Sequence, residues 1–107
     1  MELLQGTLDL LVLQALSCEE RLHGFAVQAR IELLSRGRLR VEEGSLYPAL
    51  YRLERRGWIA SAWGRSENNR KARLYQLTSA GRRQLVAERR GWEAFSEVVD
   101  TVLGKEP

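Results

Sequence analysis

One cysteine, Cys18, and one histidine, His23, are all that this 107-residue chain holds of either type. An internal disulfide cannot form, and no zinc site with recognisable ligand spacing can be assembled. Long apolar runs are missing too. The longest, around Leu10 to Leu13, is broken by Asp9 and Gln14, and a membrane span needs roughly 18 residues or more. The N-terminus lacks a basic segment leading to a small-residue cleavage site, so no secretory signal is expected. No Ser/His/Asp set, carboxylate pair in an apolar setting or phosphate-cradling glycine loop stands out. The expectation is a soluble cytoplasmic protein, not an enzyme, with no cofactor, no metal and no membrane partner. Cys18 reads as a small structural residue in an inter-helix turn, against the alternative of a redox switch. His23, just before Gly24 at a helix start, reads as a partner for nearby backbone.

What is present is one domain's worth of chain, 44% hydrophobic, with its charge unevenly placed. Residues 1–35 hold two basic and five acidic side chains, a balance of −3. Residues 36–73 hold ten basic against four acidic, a surplus of +6, and residues 74–107 balance at five of each. A polyanion is the natural partner for the middle third, although a merely solvated basic face has the same composition.

Periodicity divides the chain further. Thr7 to Leu16 reads as a helix capped by Thr7 and apolar around most of its circumference, which suggests burial on a second side by a partner subunit. A polar turn, Ser17 to Leu22, leads to a second helix, Gly24 to Leu34. A brief extended piece, Leu39 to Val41, precedes a third helix that starts between Glu42 and Ser45 and ends at Arg56, with Gly57 beyond it. With Ser45 as the cap, Pro48 would fall at the third helical position, where no amide hydrogen is needed. Leu46, Leu50 and Leu53 make its apolar stripe, while Tyr47, Tyr51, Arg52 and Arg55 project elsewhere; a helix with a tyrosine and arginine outer face suits the surface of DNA. Trp58 to Trp63 and Arg73 to Leu77 read as strands of a hairpin whose basic tip contains Asn68 and Asn69, residues that tolerate positive φ. Arg70, Lys71 and Arg73 could there displace counterions from phosphates. The last helix opens at Thr78 and runs to about Leu103, before Gly104 and Pro107. Leu85, Trp92, Phe95, Val99 and Val102 form a heptad-like seam interrupted by Glu88. About 25 residues at roughly 1.5 Å each make a rod of about 38 Å, more than so small a domain covers alone, so the seam either dimerises or packs on its own core.

Three helices, a two-stranded wing and a long terminal helix give a mainly α fold with a small β-hairpin, a winged helix-turn-helix. The stretches LLQGTLDLLVLQAL, HGFAVQARIE, VEEGSLYPALYRLERRGWI and RLYQLTSAGRRQL together resemble PadR-like transcriptional regulators over nearly the whole chain. GSLYPALYRLERRGWI followed by LYQLTSAG is the most specific part. The resemblance implies residues 1–77 as the DNA-binding domain and residues 78–107 as a C-terminal dimerisation helix of the same structural unit, as in the short subfamily, with no separate effector domain. It implies a bacterial homodimer in which the terminal helix crosses the partner and packs against its first helix. Leu8, Leu11, Leu85, Trp92, Phe95, Val99 and Val102 are then interface residues. It implies double-stranded DNA as partner, with Ser45, Tyr47, Pro48, Tyr51 and Arg52 on the DNA-facing helix and Arg70, Lys71 and Arg73 in the wing. In some relatives the dimer centre admits flat hydrophobic effectors, so Trp92 and Phe95 either line an effector pocket or pack. Two departures stand out: Phe25 where many relatives have tyrosine, and Glu42 where asparagine is common.

The resemblance implies a transcriptional repressor that binds an inverted-repeat operator as a dimer; where Trp92 and Phe95 line a pocket rather than pack, a small hydrophobic effector would release it. The alternative is a dimeric winged-helix protein-interaction module without DNA readout, marked by absent or salt-insensitive duplex binding. A structured-RNA binder lacks a recognisable RNA motif.

Overall fold

The computed structural model describes residues 5–18, 20–66 and 68–105. Glu67, in the expected hairpin tip, and Pro107, expected beyond the last helix, lie outside them. The elements in order are α1 (Gln5–Ala15), β1 (Leu22–His23), α2 (Gly24–Leu34), α3 (Glu43–Arg55), β2 (Ile59–Arg65), β3 (Lys71–Leu77) and α4 (Ser79–Val102). The sheet is antiparallel with order β1-β3-β2. It has one strand more than the expected hairpin, because Leu22 and His23 pair with Tyr75 and Leu74.

α1 is the axis of the domain. Leu8, Val12, Leu13, Ala15 and Leu16 are buried and Leu10 and Leu11 pack against the same core, because α2, α3 and α4 all lean on this helix. A helix apolar on most sides is thus largely satisfied within its own chain, contrary to the expectation that one small domain covers only one stripe of it. Thr7 lies within α1, already helical from Gln5, and does not cap it.

Helix ends elsewhere follow side-chain chemistry. His23 Nδ1 accepts from the Ala26 amide at 3.2 Å, capping α2. Thr78 Oγ1 accepts from the Gly81 amide at 3.0 Å and donates to the Gly57 carbonyl at 2.7 Å, so one hydroxyl caps α4 and ties it to the end of α3. α3 is capped at Glu42, not Ser45, and the Glu42 side chain makes no capping bond. Pro48 therefore sits at the sixth helical position rather than the third. Its missing amide hydrogen leaves the carbonyl of Gly44, an exposed residue, without an intrahelical partner. α3 ends in a Schellman motif: Gly57 at φ 78° donates to Glu54, and Trp58 donates to Leu53 at 3.1 Å.

α3 buries Leu46, Ala49, Leu50 and Leu53, the stripe expected of it. In the hairpin, Asn69 takes φ 58°, and Ser66 donates to the Arg70 carbonyl at 2.8 Å. α4 has 24 residues, about 36 Å at about 1.5 Å each, in a molecule 51 × 28 × 22 Å. Its only buried residues are Gly81 and Leu85, both in the first two turns. Among the described residues no helix is long and apolar enough to cross a membrane.

Candidate nucleic-acid interface

Directly opposed residues of an antiparallel pair share a face. The register Ile59 to Leu77, Ser61 to Tyr75, Trp63 to Arg73 and Arg65 to Lys71 therefore puts all eight side chains on one side of the wing. At its base this side belongs to the core, since Ile59, Leu77 and Tyr75 are buried. Further out it faces α3: Ser61 Oγ donates to Glu54 Oε2 at 2.6 Å, and Arg73 Nε donates to Ser61 Oγ at 2.9 Å. Beyond that link the paired positions on the same face hold Trp63, opposite Arg73, and then Arg65 opposite Lys71.

From the opposite side α3 presents Tyr47 and Tyr51, with the Arg55 guanidinium 5.7 Å from the Tyr51 ring centre. Tyr47, Tyr51, Glu54, Arg55, Arg73 and Tyr75 together line a concavity of about 510 Å³ between helix and wing. Burial, and after it the Glu54 carboxylate, pushes the Tyr75 phenol up, with Tyr47 adding to this and Arg73 partly offsetting it, so Tyr75 meets a ligand as a neutral hydroxyl. Tyr47 can lie close to the start of α2 because residue 24 is glycine: a Cβ there would stand 2.6 Å from the Tyr47 hydroxyl. Ser45 and Pro48 are exposed on the outer side of α3, and Arg70 and Lys71 are exposed at the wing. A tyrosine and arginine concavity beside a cationic wing can hold a polyanion, with ring faces available for sugar or base contact.

Arg52 is not brought to this surface. Its Nη2 lies 2.7 Å from Oδ1 of Asp9, a residue only 4% exposed inside α1. A carboxylate in the apolar core needs a counter-charge, and Arg52 supplies it across the α1–α3 contact, so its position on the helix turns it inward. Arg52→Ala would strand Asp9. Because the guanidinium keeps a path to water, the expected cost is about 2–3 kcal/mol, or a Tm lower by roughly 10 °C or more. A thermal melt checks this; an unchanged melt with weakened duplex binding would return Arg52 to the surface.

The expected interface residues divide in the same way. Leu8 and Leu85 are buried in the chain's own core, and Leu11 is half-buried against it. Val99 is half-buried, while Trp92, Phe95 and Val102 are exposed, Val102 at 79%, and Val98 joins them. Gly6, Thr7 and Leu10 of α1 and Gln84, Ala87, Glu88, Gly91, Trp92 and Phe95 of α4 line a groove of about 560 Å³.

Glu88, which interrupts the seam, is half-buried. Its Oε2 is shut off from solvent and has no hydrogen-bond partner among the described residues. Burial, then the Asp9 carboxylate, raises its carboxyl above the usual range, with the Arg56 guanidinium partly opposing. A raised folded value means that the proton is held more tightly in the folded chain. The group is then harmless below the ordinary glutamate value of about 4.3, and stability is lost as pH rises from there through the folded value. Glu88→Gln is expected to raise Tm at neutral pH with no gain near pH 4; an equal gain at both would contradict this origin.

Sequence reasoning missed Trp63. Its indole is 61% exposed, with Lys71 Nζ 5.0 Å and Arg73 Cζ 5.5 Å from the ring centre. Only the strand register reveals that it shares a face with the basic residues.

A family model described as the transcriptional regulator PadR-like family matches residues 12–87, from within α1 to within α4. Transcriptional regulator Rv3488 of Mycobacterium tuberculosis is 44% identical over 71 residues, which is 66% of this chain and 63% of that protein. The solved structure of a PadR family transcriptional regulator from Eggerthella lenta superposes with a TM-score of 0.77 at 30% identity, over 95% of this chain and 86% of its own. A transcriptional regulator from Clostridium thermocellum gives a TM-score of 0.80 at 26% identity, over 91% and 93% of the two chains.

Proposed function

This chain belongs to the PadR-like family of transcriptional regulators, not to a family of enzymes, and from that premise we propose that it is a cytoplasmic, sequence-specific repressor of double-stranded DNA. The observation that carries the proposal is the convergence of the outer side of α3 and the cationic face of the wing on one concavity. α3 enters the major groove with Ser45, Tyr47, Pro48 and Tyr51 outermost, and Arg70, Lys71 and Arg73 lie along the flanking phosphates. The unpartnered apolar side of α4, with Trp92, Phe95 and Val102, supports a homodimer built on residues 78–107, with 1–77 as the DNA-binding part. Two α3 helices related by a two-fold axis then reach half-sites about 34 Å apart on an inverted repeat. The groove between α1 and α4, walled by Leu10, Trp92 and Phe95, is the place for a small hydrophobic effector whose binding releases the DNA.

The wing tests this. Arg70→Ala with Lys71→Ala removes four cations per dimer. It should weaken binding about tenfold or more on every duplex, and reduce the slope of log affinity against log salt by about 3–4. Tyr51→Ala should instead reduce preference for the promoter over a scrambled duplex. A salt slope unchanged by the double wing substitution would refute the assignment.

A further inference from the structure

The wing keeps its largest apolar side chain in water. Trp63 is 61% exposed in the middle of β2, whereas Ile59, the apolar residue on the same face nearer the base, is buried. Trp63 is not a turn residue and not part of the core. It lies on the α3-facing side, opposite Arg73 and diagonal to Lys71, and both cations sit over its ring, Arg73 at 5.5 Å and Lys71 at 5.0 Å. A lone exposed indole needs no explanation. One that gathers two cations on the face turned toward the helix–wing concavity does.

We propose that Trp63 is itself a nucleic-acid contact residue: its indole docks on the sugar edge of the backbone while Lys71 and Arg73, held over the ring, take the adjacent phosphates. This rests on the DNA-binding reading above and adds to it a non-ionic contact that every sequence offers. Cation–π attraction orders the two flexible side chains before DNA arrives, and the indole surface leaves water when the phosphates are engaged. Because the contact carries no charge, it raises affinity without releasing counterions.

The distinguishing experiment compares wild type, Trp63→Leu and Trp63→Phe by fluorescence anisotropy on a labelled promoter duplex and on a scrambled one, at several salt concentrations. Trp63→Leu should bind both duplexes about tenfold more weakly with an unchanged salt slope, and Trp63→Phe should stay within about threefold of wild type. The part of the tryptophan emission that Trp63→Phe removes should also become shielded from acrylamide when DNA binds. Melting of each variant, expected within a few degrees of wild type for so exposed a site, shows that the fold is kept; if Trp63→Leu melts early, Trp63→Phe and the acrylamide shielding decide. A wild type that binds while Trp63→Leu matches it, or an indole that DNA does not shield, overturns this inference alone. A wild type that binds neither duplex overturns the DNA-binding reading and this contact with it.

Discussion

Replacing Phe95 with glutamate is expected to turn the proposed dimer into monomers, raising its dissociation constant about a hundredfold or more, equivalent to about 2.7 kcal/mol. On a lone chain the substitution is mild, since Phe95 is 60% exposed and a carboxylate there would remain in water. Against a second copy the same position lies among Trp92, Val98 and Val102, where a phenyl ring is lost and an unpaired charge loses its hydration. Light scattering reads the mass and a thermal melt reads the fold. A monomer with folded secondary structure and much weaker operator binding is the expected outcome, because two half-sites are no longer linked. An unchanged dimer mass would remove the terminal helix from the interface.

Gly81→Ala is expected to destabilise the fold itself. A Cβ at residue 81 would lie 1.9 Å from the Trp58 carbonyl oxygen and 2.9 Å from its carbon. That oxygen already accepts from the Thr78 amide at 3.0 Å, so neither side of the contact is a flexible side-chain end. The first turn of α4 must lift off the start of β2, taking the Thr78 cap and the seat of Leu85 with it. Alanine's helix propensity returns about 1 kcal/mol, and overpacking against backbone should exceed that by about 3 kcal/mol or more, lowering Tm by roughly 15 °C. A melt within a few degrees of wild type would mean that the α4–β2 junction is far softer than its geometry.

Much of this arrangement was legible in the sequence. The stripe Leu46, Leu50 and Leu53, the glycine after α3, the Thr78 cap and the basic hairpin are short-range patterns, and each depends on neighbours within a few residues. What was not legible depends on registers between distant segments. β1 is two residues long and has no period of its own; it exists because β3 offers Leu74 and Tyr75. Tyr51 and Arg52 are adjacent and both polar-faced, yet one faces outward and the other reaches Asp9, a partner 43 residues away. The clue was Asp9 itself, a carboxylate amid apolar residues, which demands a buried counter-charge. Leu8 reads as an interface residue because α1 is apolar nearly all round, and Leu85 because it opens the heptad-like seam of α4, but α1 is covered by three helices and Leu85 packs into the same core. Ser45 is the better capping residue by chemistry, but the N-cap is Glu42, whose side chain makes no capping bond. Trp63 was hidden for the same reason as β1, since exposure on a strand depends on what its partner strand brings alongside.

The most direct test titrates the purified protein onto a fluorescent duplex from its own promoter and onto a scrambled duplex, at low and moderate salt. Three wing cations on each of two subunits predict binding that weakens about a thousandfold between about 50 and 200 mM salt, with the promoter duplex preferred. Failure to bind either duplex, or binding that salt leaves unchanged, would contradict DNA readout and leave the concavity between α3 and the wing as a surface for a protein partner.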